Sequence, residues 1–185
     1  MEEISNLKLI LVGDYGIGKS ALQSRFIYNK YPVKLMTIRN DFEKKVYSLD
    51  NKEYNIYLWD FLHHKYHDCI LKTYFRGVDG YLLCFSLTNS ESFKNVTNWC
   101  NLIKETADDS KIVLIGNKSD CISDLRVSEE EVKQFSEQLN LQYFPVSSKT
   151  GENVFEAFNG LIQEIMKKNE IEIPKEDEKS NCVVE

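Results

Sequence analysis

The sequence predicts an α/β domain built on a mainly parallel sheet. Three observations carry that expectation. Apolar runs of strand length alternate with stretches of helical period. The runs Leu7–Val12, Tyr81–Phe85 and Ile112–Ile115 are almost continuously apolar, as strands covered on both faces must be. The first run ends in a glycine-rich turn that opens a helix-like stretch. At 185 residues, 42% apolar and 28% charged, the chain is sized and composed for one globular core.

Each element has a local reason. Leu7 to Val12 reads as the first strand, and Lys19 to about Tyr28 as the first helix. Residues 41 to 59 read as two strands joined at Asp50-Asn51, because Asp and Asn tolerate left-handed backbone. Tyr54, Ile56 and Leu58 then share one face. Phe93, Val96, Cys100 and Ile103 follow helical spacing, with Thr88 and Glu91 placed as a capping box. Ser128 and Glu131 open the next helix in the same way. Gln142 to Val146 is a short final strand. Val154, Phe158, Leu161, Ile162 and Ile165 stripe a last helix, expected to end near Lys168. Residues 169–185 lose the period and read as a mobile C-terminal tail, leaving 1–168 as the domain.

Composition excludes several classes. A formal charge of -6 suits no sequence-independent nucleic-acid binder, which needs clustered cations to release counterions. No window approaches the roughly 18 apolar residues of a membrane-spanning helix. Met1-Glu2-Glu3 is acidic, which predicts no signal peptide, and Glu2 stands where N-myristoylation needs glycine. Cys69, Cys84, Cys100, Cys121 and Cys182 show neither metal-knuckle nor redox spacing, so a reducing cytoplasm is expected. Cys84 and Cys100 fall in apolar patterns and read as core fillers.

Two motifs carry chemistry. Gly13-Asp-Tyr-Gly-Ile-Gly18-Lys19-Ser20 fits GxxxxGK[ST] between a strand and a helix. Glycines let backbone N–H groups wrap phosphate oxygens, the following helix aims its positive end there, and Lys19 reaches the β- and γ-phosphates. The Ser20 hydroxyl is placed to ligate Mg²⁺. About a hundred residues later, Gly116-Asn117-Lys118-Ser119-Asp120 ends a strand as an NKxD sequence. A carboxylate there accepts from guanine N1–H and the 2-amino group; adenine lacks both donors and would leave a buried charge unpaired.

Together these residues resemble the Ras superfamily of small GTPases, the Rab branch most closely, over residues 5–168. The resemblance implies a P-loop NTPase fold, with a six-stranded, mostly parallel sheet flanked by five helices. It implies a GTP/GDP-operated switch that needs Mg²⁺ and works through effector and exchange-factor proteins. Ser147-Ser148-Lys149 is similar to the family's SAK loop. Ser147 would steady Asp120, the Ser148 amide would meet guanine O6, and Lys149 would pack over the base. Ser148 replaces the usual alanine, a change expected to matter little if only its backbone contributes. Tyr31 falls near the base-stacking aromatic. Thr37-Ile38-Arg-Asn-Asp41-Phe42 resembles Rab switch I, whose threonine ligates Mg²⁺; Thr73-Tyr-Phe-Arg-Gly77 and Ser90-Glu-Ser-Phe93 are also Rab-like. The implied nucleotide set is Gly13, Tyr15, Gly16, Ile17, Gly18, Lys19, Ser20, Ala21, Tyr31, Thr37, His63, Asn117, Lys118, Asp120, Ser147, Ser148 and Lys149. The implied metal set is Ser20, Thr37 and Asp60.

The pattern departs from the family where DTAGQ is usual. Here it reads Asp60-Phe61-Leu62-His63-His64. The aspartate survives, but His63 replaces the glycine whose amide meets the γ-phosphate, and a side chain restricts that backbone. His64 replaces the glutamine that orients water. Lys19, Thr37 and His64 thus form the expected catalytic set. Tyr15 stands where the phosphate loop is often small, and Arg39 replaces a glycine. Slow hydrolysis is the expectation, or a GTP-held binding module with negligible turnover. The opposing expectation is that a neutral His64 imidazole positions water itself, so that hydrolysis falls as pH drops through about 6.5. His63, His64 and His67 lie close together, but neighbouring histidines point apart on regular backbone, which disfavours zinc. Cys182-Val-Val-Glu185 has the layout of a prenylation box with an unusual last residue and no basic cluster before it. A lipid on Cys182 would give only reversible attachment to the cytosolic face of a membrane.

Overall fold

The computed structural model describes residues 4–32, 41–60, 73–107 and 110–172. Thr37, Arg39, His63, His64, His67, Cys69 and Cys182 lie outside the described residues.

The chain runs β1 (Ser5–Val12), α1 (Lys19–Tyr28), β2 (Asp41–Leu49), β3 (Lys52–Asp60), β4 (Gly80–Ser86), α2 (Ser90–Lys94), α3 (Val96–Thr106), β5 (Lys111–Asn117), a 3₁₀ turn (Ile122–Asp124), α4 (Glu129–Leu139), β6 (Gln142–Val146) and α5 (Val154–Glu172). One six-stranded sheet has the order β2-β3-β1-β4-β5-β6. Only β2 runs antiparallel, paired with β3 from Asp41↔Asp60 to Leu49↔Lys52. Asp50 and Asn51 close that hairpin with φ of 51° and 60°. A two-residue turn with both φ values positive matches the strands' right-handed twist.

Alternate β1 side chains feed two cores. Leu7, Leu9 and Leu11 pack with Leu22 and Phe26 of α1 and with Phe158 and Leu161 of α5. Phe26 and Phe158 stack with ring centroids 3.6 Å apart. Ile10 and Val12 face the other side, with Tyr81, Leu83, Phe85, Trp99, Ile103 and Val132. Cys84 and Cys100 are buried in these cores, as core fillers should be. Burial pushes the Cys84 thiol up to about 12, so it stays neutral.

Two local expectations need correction. The cap before Ser90 is Asn89, not Thr88: Asn89 Oδ1 accepts from the amides of Glu91 (3.0 Å) and Ser92 (3.3 Å). The Thr88 hydroxyl is engaged with Ser86 Oγ at 2.9 Å. The helical period then breaks at Asn95, so α2 and α3 are two segments of one flanking layer. Four flanking helices, one of them broken in this way, and a 3₁₀ turn cover the sheet among the described residues. The last helix passes the expected end and reaches Glu172. The reciprocal Ser128–Glu131 capping box is present as expected.

Candidate functional site

The sheet order reverses beside β1, and ligands of open α/β sheets bind beyond the strand C-termini at such a point. Gly13, Tyr15, Gly16, Ile17 and Gly18 lie on the loop that leaves β1 there. Gly13 and Gly18 have φ of 135° and 101°. Their glycine identity is doubly required. A Cβ on Gly13 would strike the Cys84 carbonyl oxygen, and one on Gly18 would strike Asn117 Nδ2. Gly18 also caps α1, so the loop ends at a helix N-terminus whose free amides favour an anion. Ile17 and Ala21 are buried and anchor this bend, whereas Tyr15 is 69% exposed on its outer lip.

Lys19 is buried, yet its ammonium stays inside the loop. Nζ donates to the carbonyls of Gly13 (2.8 Å) and Asp14 (2.7 Å). Burial pulls its pKa below the usual lysine range, opposed by Asp60, Cys84 and Asp14. Beside it the Ser20 hydroxyl donates to the buried Asp60 carboxylate. A hydroxyl and a carboxylate oxygen brought together are hard donors of the kind Mg²⁺ takes. Among the described residues no group of three His, Cys, Asp or Glu side chains assembles around a point.

The second half of the site hangs on Asn117, at the end of β5. Its Nδ2 donates to the Ile17 carbonyl at 2.9 Å, which ties the base motif to the phosphate loop. Lys118 adds a second tie, from Nζ to the Gly16 carbonyl at 3.2 Å. Asp120 is half-buried, and Ser147 Oγ donates to its Oδ1 at 2.7 Å. That bond fixes one carboxylate oxygen, as expected of Ser147. Lys149 is exposed at the rim, and Tyr31 is 45% exposed.

Ser148 is not the neutral replacement expected. Its hydroxyl donates to Asn117 Oδ1 at 2.9 Å, and its amide reaches the same oxygen at 3.2 Å. An alanine makes only the second contact. The hydroxyl therefore contributes to the loop's attachment.

Two side chains in the site have roles the motifs did not assign. The Asp14 carboxylate points away from the phosphate cradle, accepting from Asn95 Nδ2 (2.7 Å) and Trp99 Nε1 (2.9 Å). The signal in the sequence is an acid inside a loop suited to anions, which must be tethered elsewhere. Arg25, on α1, reaches the base loop, and nothing in the motifs foretells it.

Phe42 on β2, Trp59 on β3 and Tyr74 form an aromatic row in which Phe42 is exposed and the other two are half-buried. Phe42 stacks obliquely on Trp59 with centroids 4.8 Å apart, and Trp59 approaches Tyr74 at 6.1 Å. Phe42 is 49% exposed, and Lys44 lies over Tyr57 at 5.4 Å.

Comparisons with known proteins agree with this geometry. Residues 8–167 match the model of the Ras family. The chain is 36% identical over 177 residues to the GTP-binding protein ypt2 of Schizosaccharomyces pombe, covering 95% of this chain and 87% of that protein. It is 37% identical to Ras-related protein Rab-11B of Dictyostelium discoideum, over 83% of this chain and 71% of that one. Ras-related protein SEC4 of Candida albicans is 35% identical, over 88% and 79%.

Proposed function

The chain belongs to the Ras family of small GTPases and is a Rab-like molecular switch, and from that premise we propose a slow, Mg²⁺-dependent GTP switch that serves vesicle traffic. One observation carries the nucleotide reading. A buried ammonium held on the loop carbonyls and a carboxylate held by Ser147 lie on two loops that Asn117 and Lys118 tie together.

Each residue has a part in that reading. Loop amides from Gly13 to Ala21 and the Lys19 ammonium bind the β- and γ-phosphates. On nucleotide binding Lys19 exchanges carbonyl partners for phosphate oxygens, whose negative charge opposes the lowering of its pKa by burial. Ser20 and Asp60 hold Mg²⁺, with Thr37 as the ligand contributed by switch I. Bound Mg²⁺ neutralises charge on the phosphate oxygens. Asp120 accepts from guanine N1–H and the 2-amino group, the Ser148 amide turns from Asn117 Oδ1 to donate to O6 while the Ser148 hydroxyl keeps its bond to Asn117, and Tyr31, Lys118 and Lys149 enclose the base.

Hydrolysis needs a water held in line with the γ-phosphate. His64 stands at the glutamine position and His63 at the glycine position. Removal of the glutamine role erases most of the roughly 10⁵-fold gain an activating protein supplies. The His63-His64 pair also favours a second reading, a GTP-held binding module with negligible turnover. In either case the partners are effector and exchange-factor proteins meeting the aromatic row of Phe42, Trp59 and Tyr74. No described helix is long and apolar enough to cross a membrane. Membrane contact, in this reading, is a reversible lipid attachment at Cys182.

Single-turnover GTP hydrolysis by wild type and by a His63→Gly/His64→Gln variant tests the slow switch. The variant is expected to be faster. Equal rates contradict the assigned cause, and no wild-type turnover at all selects the binding module.

A further inference from the structure

The base side of the cleft is braced by a residue that belongs to neither nucleotide motif. Arg25 lies in the last turn of α1, the helix that begins at Lys19. Its guanidinium donates Nε to the Ser148 carbonyl (3.0 Å), Nη2 to the Lys149 carbonyl (2.5 Å) and Nη1 to the Asn29 carbonyl (3.1 Å). Ser148 and Lys149 belong to the base loop. Asn29 caps α1 and leads to Tyr31. One planar fork therefore joins two base-loop carbonyls to the cap of α1, which a lysine's point charge cannot do.

The loop itself explains why a brace is needed. It closes on itself through Gly151 N to Ser147 O (2.8 Å) and Ser147 N to Glu152 O (3.1 Å). Ser147 ties to Asp120 and Ser148 ties to Asn117, both on the chain leaving β5. Those two side-chain ties both run to the β5 side of the loop. Arg25 supplies a tie from the α1 side. Its main-chain targets in the loop are the carbonyls of Ser148 and Lys149, so it sets the plane of the adjoining peptides, including the Ser148–Lys149 link.

We propose that Arg25 is a positioning residue for purine recognition, bracing the Ser147–Lys149 loop against α1 so that Ser148 and the Ser147-held Asp120 keep their spacing from the phosphate loop. The inference rests on the guanine-nucleotide reading above. Arg25 acts through the loop and does not touch the nucleotide.

The test uses the full chain as wild type, Arg25→Gln and Arg25→Lys, loaded with a fluorescent GDP analogue. Release is timed with Mg²⁺ and with EDTA, and unlabelled GDP and inosine diphosphate compete for the site. Loss of charge-assisted bonds to two base-loop carbonyls is expected to speed release about 10–100-fold in Arg25→Gln. Arg25→Lys should fall between, because an ammonium can still reach one carbonyl. The preference for GDP over inosine diphosphate should narrow in both variants, since Asp120 loses its fixed distance. The acceleration by EDTA should stay at the wild-type factor, because Ser20 and Asp60 lie at the other end of the cleft.

Wild-type release rates in both variants overturn the proposal. So does faster release with an unchanged base preference, which marks a general loosening. If Arg25→Gln fails to fold, Arg25→Lys decides by the same two readouts. A wild type that takes no guanine nucleotide removes the underlying reading and the proposal together, an outcome separate from normal binding with silent variants.

Discussion

Gly16 and Gly18 sit two residues apart in one loop, and the structure assigns them different costs of substitution. Both have positive φ, 77° and 101°. Alanine at either position pays for left-handed backbone, about 1–2 kcal/mol. At Gly16 the account stops there, because an added Cβ meets nothing within 4 Å. At Gly18 the Cβ strikes Asn117 Nδ2, which donates to the Ile17 carbonyl at 2.9 Å. Asn117 is only 2% exposed, so the displaced groups lose their partner without gaining water. That adds about 1–3 kcal/mol. Urea denaturation of the nucleotide-free proteins should show a loss of about 1–2 kcal/mol for Gly16→Ala and about 2–5 kcal/mol for Gly18→Ala. The same ordering should appear in nucleotide affinity, since Asn117 links the two halves of the site. Equal losses for the two variants would refute the claim that Asn117 fills the space beside Gly18.

Two further outcomes follow from the site. Ser148→Ala removes the hydroxyl bond to Asn117 Oδ1 and should speed nucleotide release about fivefold, read by fluorescent GDP dissociation; an unchanged rate would return the hydroxyl to irrelevance. Lys19 has a folded-state pKa below its unfolded value, so in the alkaline window between the two the unfolded chain binds more protons. The nucleotide-free protein should therefore gain stability relative to Lys19→Met as pH rises through that window towards 10.5, measured by urea denaturation at several alkaline pH values. A falling difference would contradict the assigned burial.

Much of this site was legible because its residues are close in sequence and their chemistry demands their spacing. Gly13 to Ser20 and Asn117 to Asp120 needed no tertiary information beyond a strand before each. The Asp50-Asn51 turn was legible for the same local reason. The cap before Ser90 was not, because Thr88 and Asn89 are both good caps and adjacent. The choice was made by Ser86, whose hydroxyl engages Thr88. The end of α5 was misjudged because residues 169–172 carry no apolar stripe, while the helical backbone continues without one. Arg25 was invisible: its partners lie 123 and 124 residues away, and backbone carbonyls leave no trace in side-chain identity. Ser148 was underrated because a backbone role was expected at a position where the hydroxyl proved to be bonded.

The central claim is that one cleft holds phosphates on a glycine-lined loop and selects guanine with the Asp120 carboxylate. Equilibrium competition of GDP and ADP against wild type and Asp120→Ala measures it directly. Wild type should prefer GDP by about 10⁴-fold or more, and Asp120→Ala should lose most of that preference. A variant that keeps the full preference, or a wild type indifferent to the base, would contradict the account.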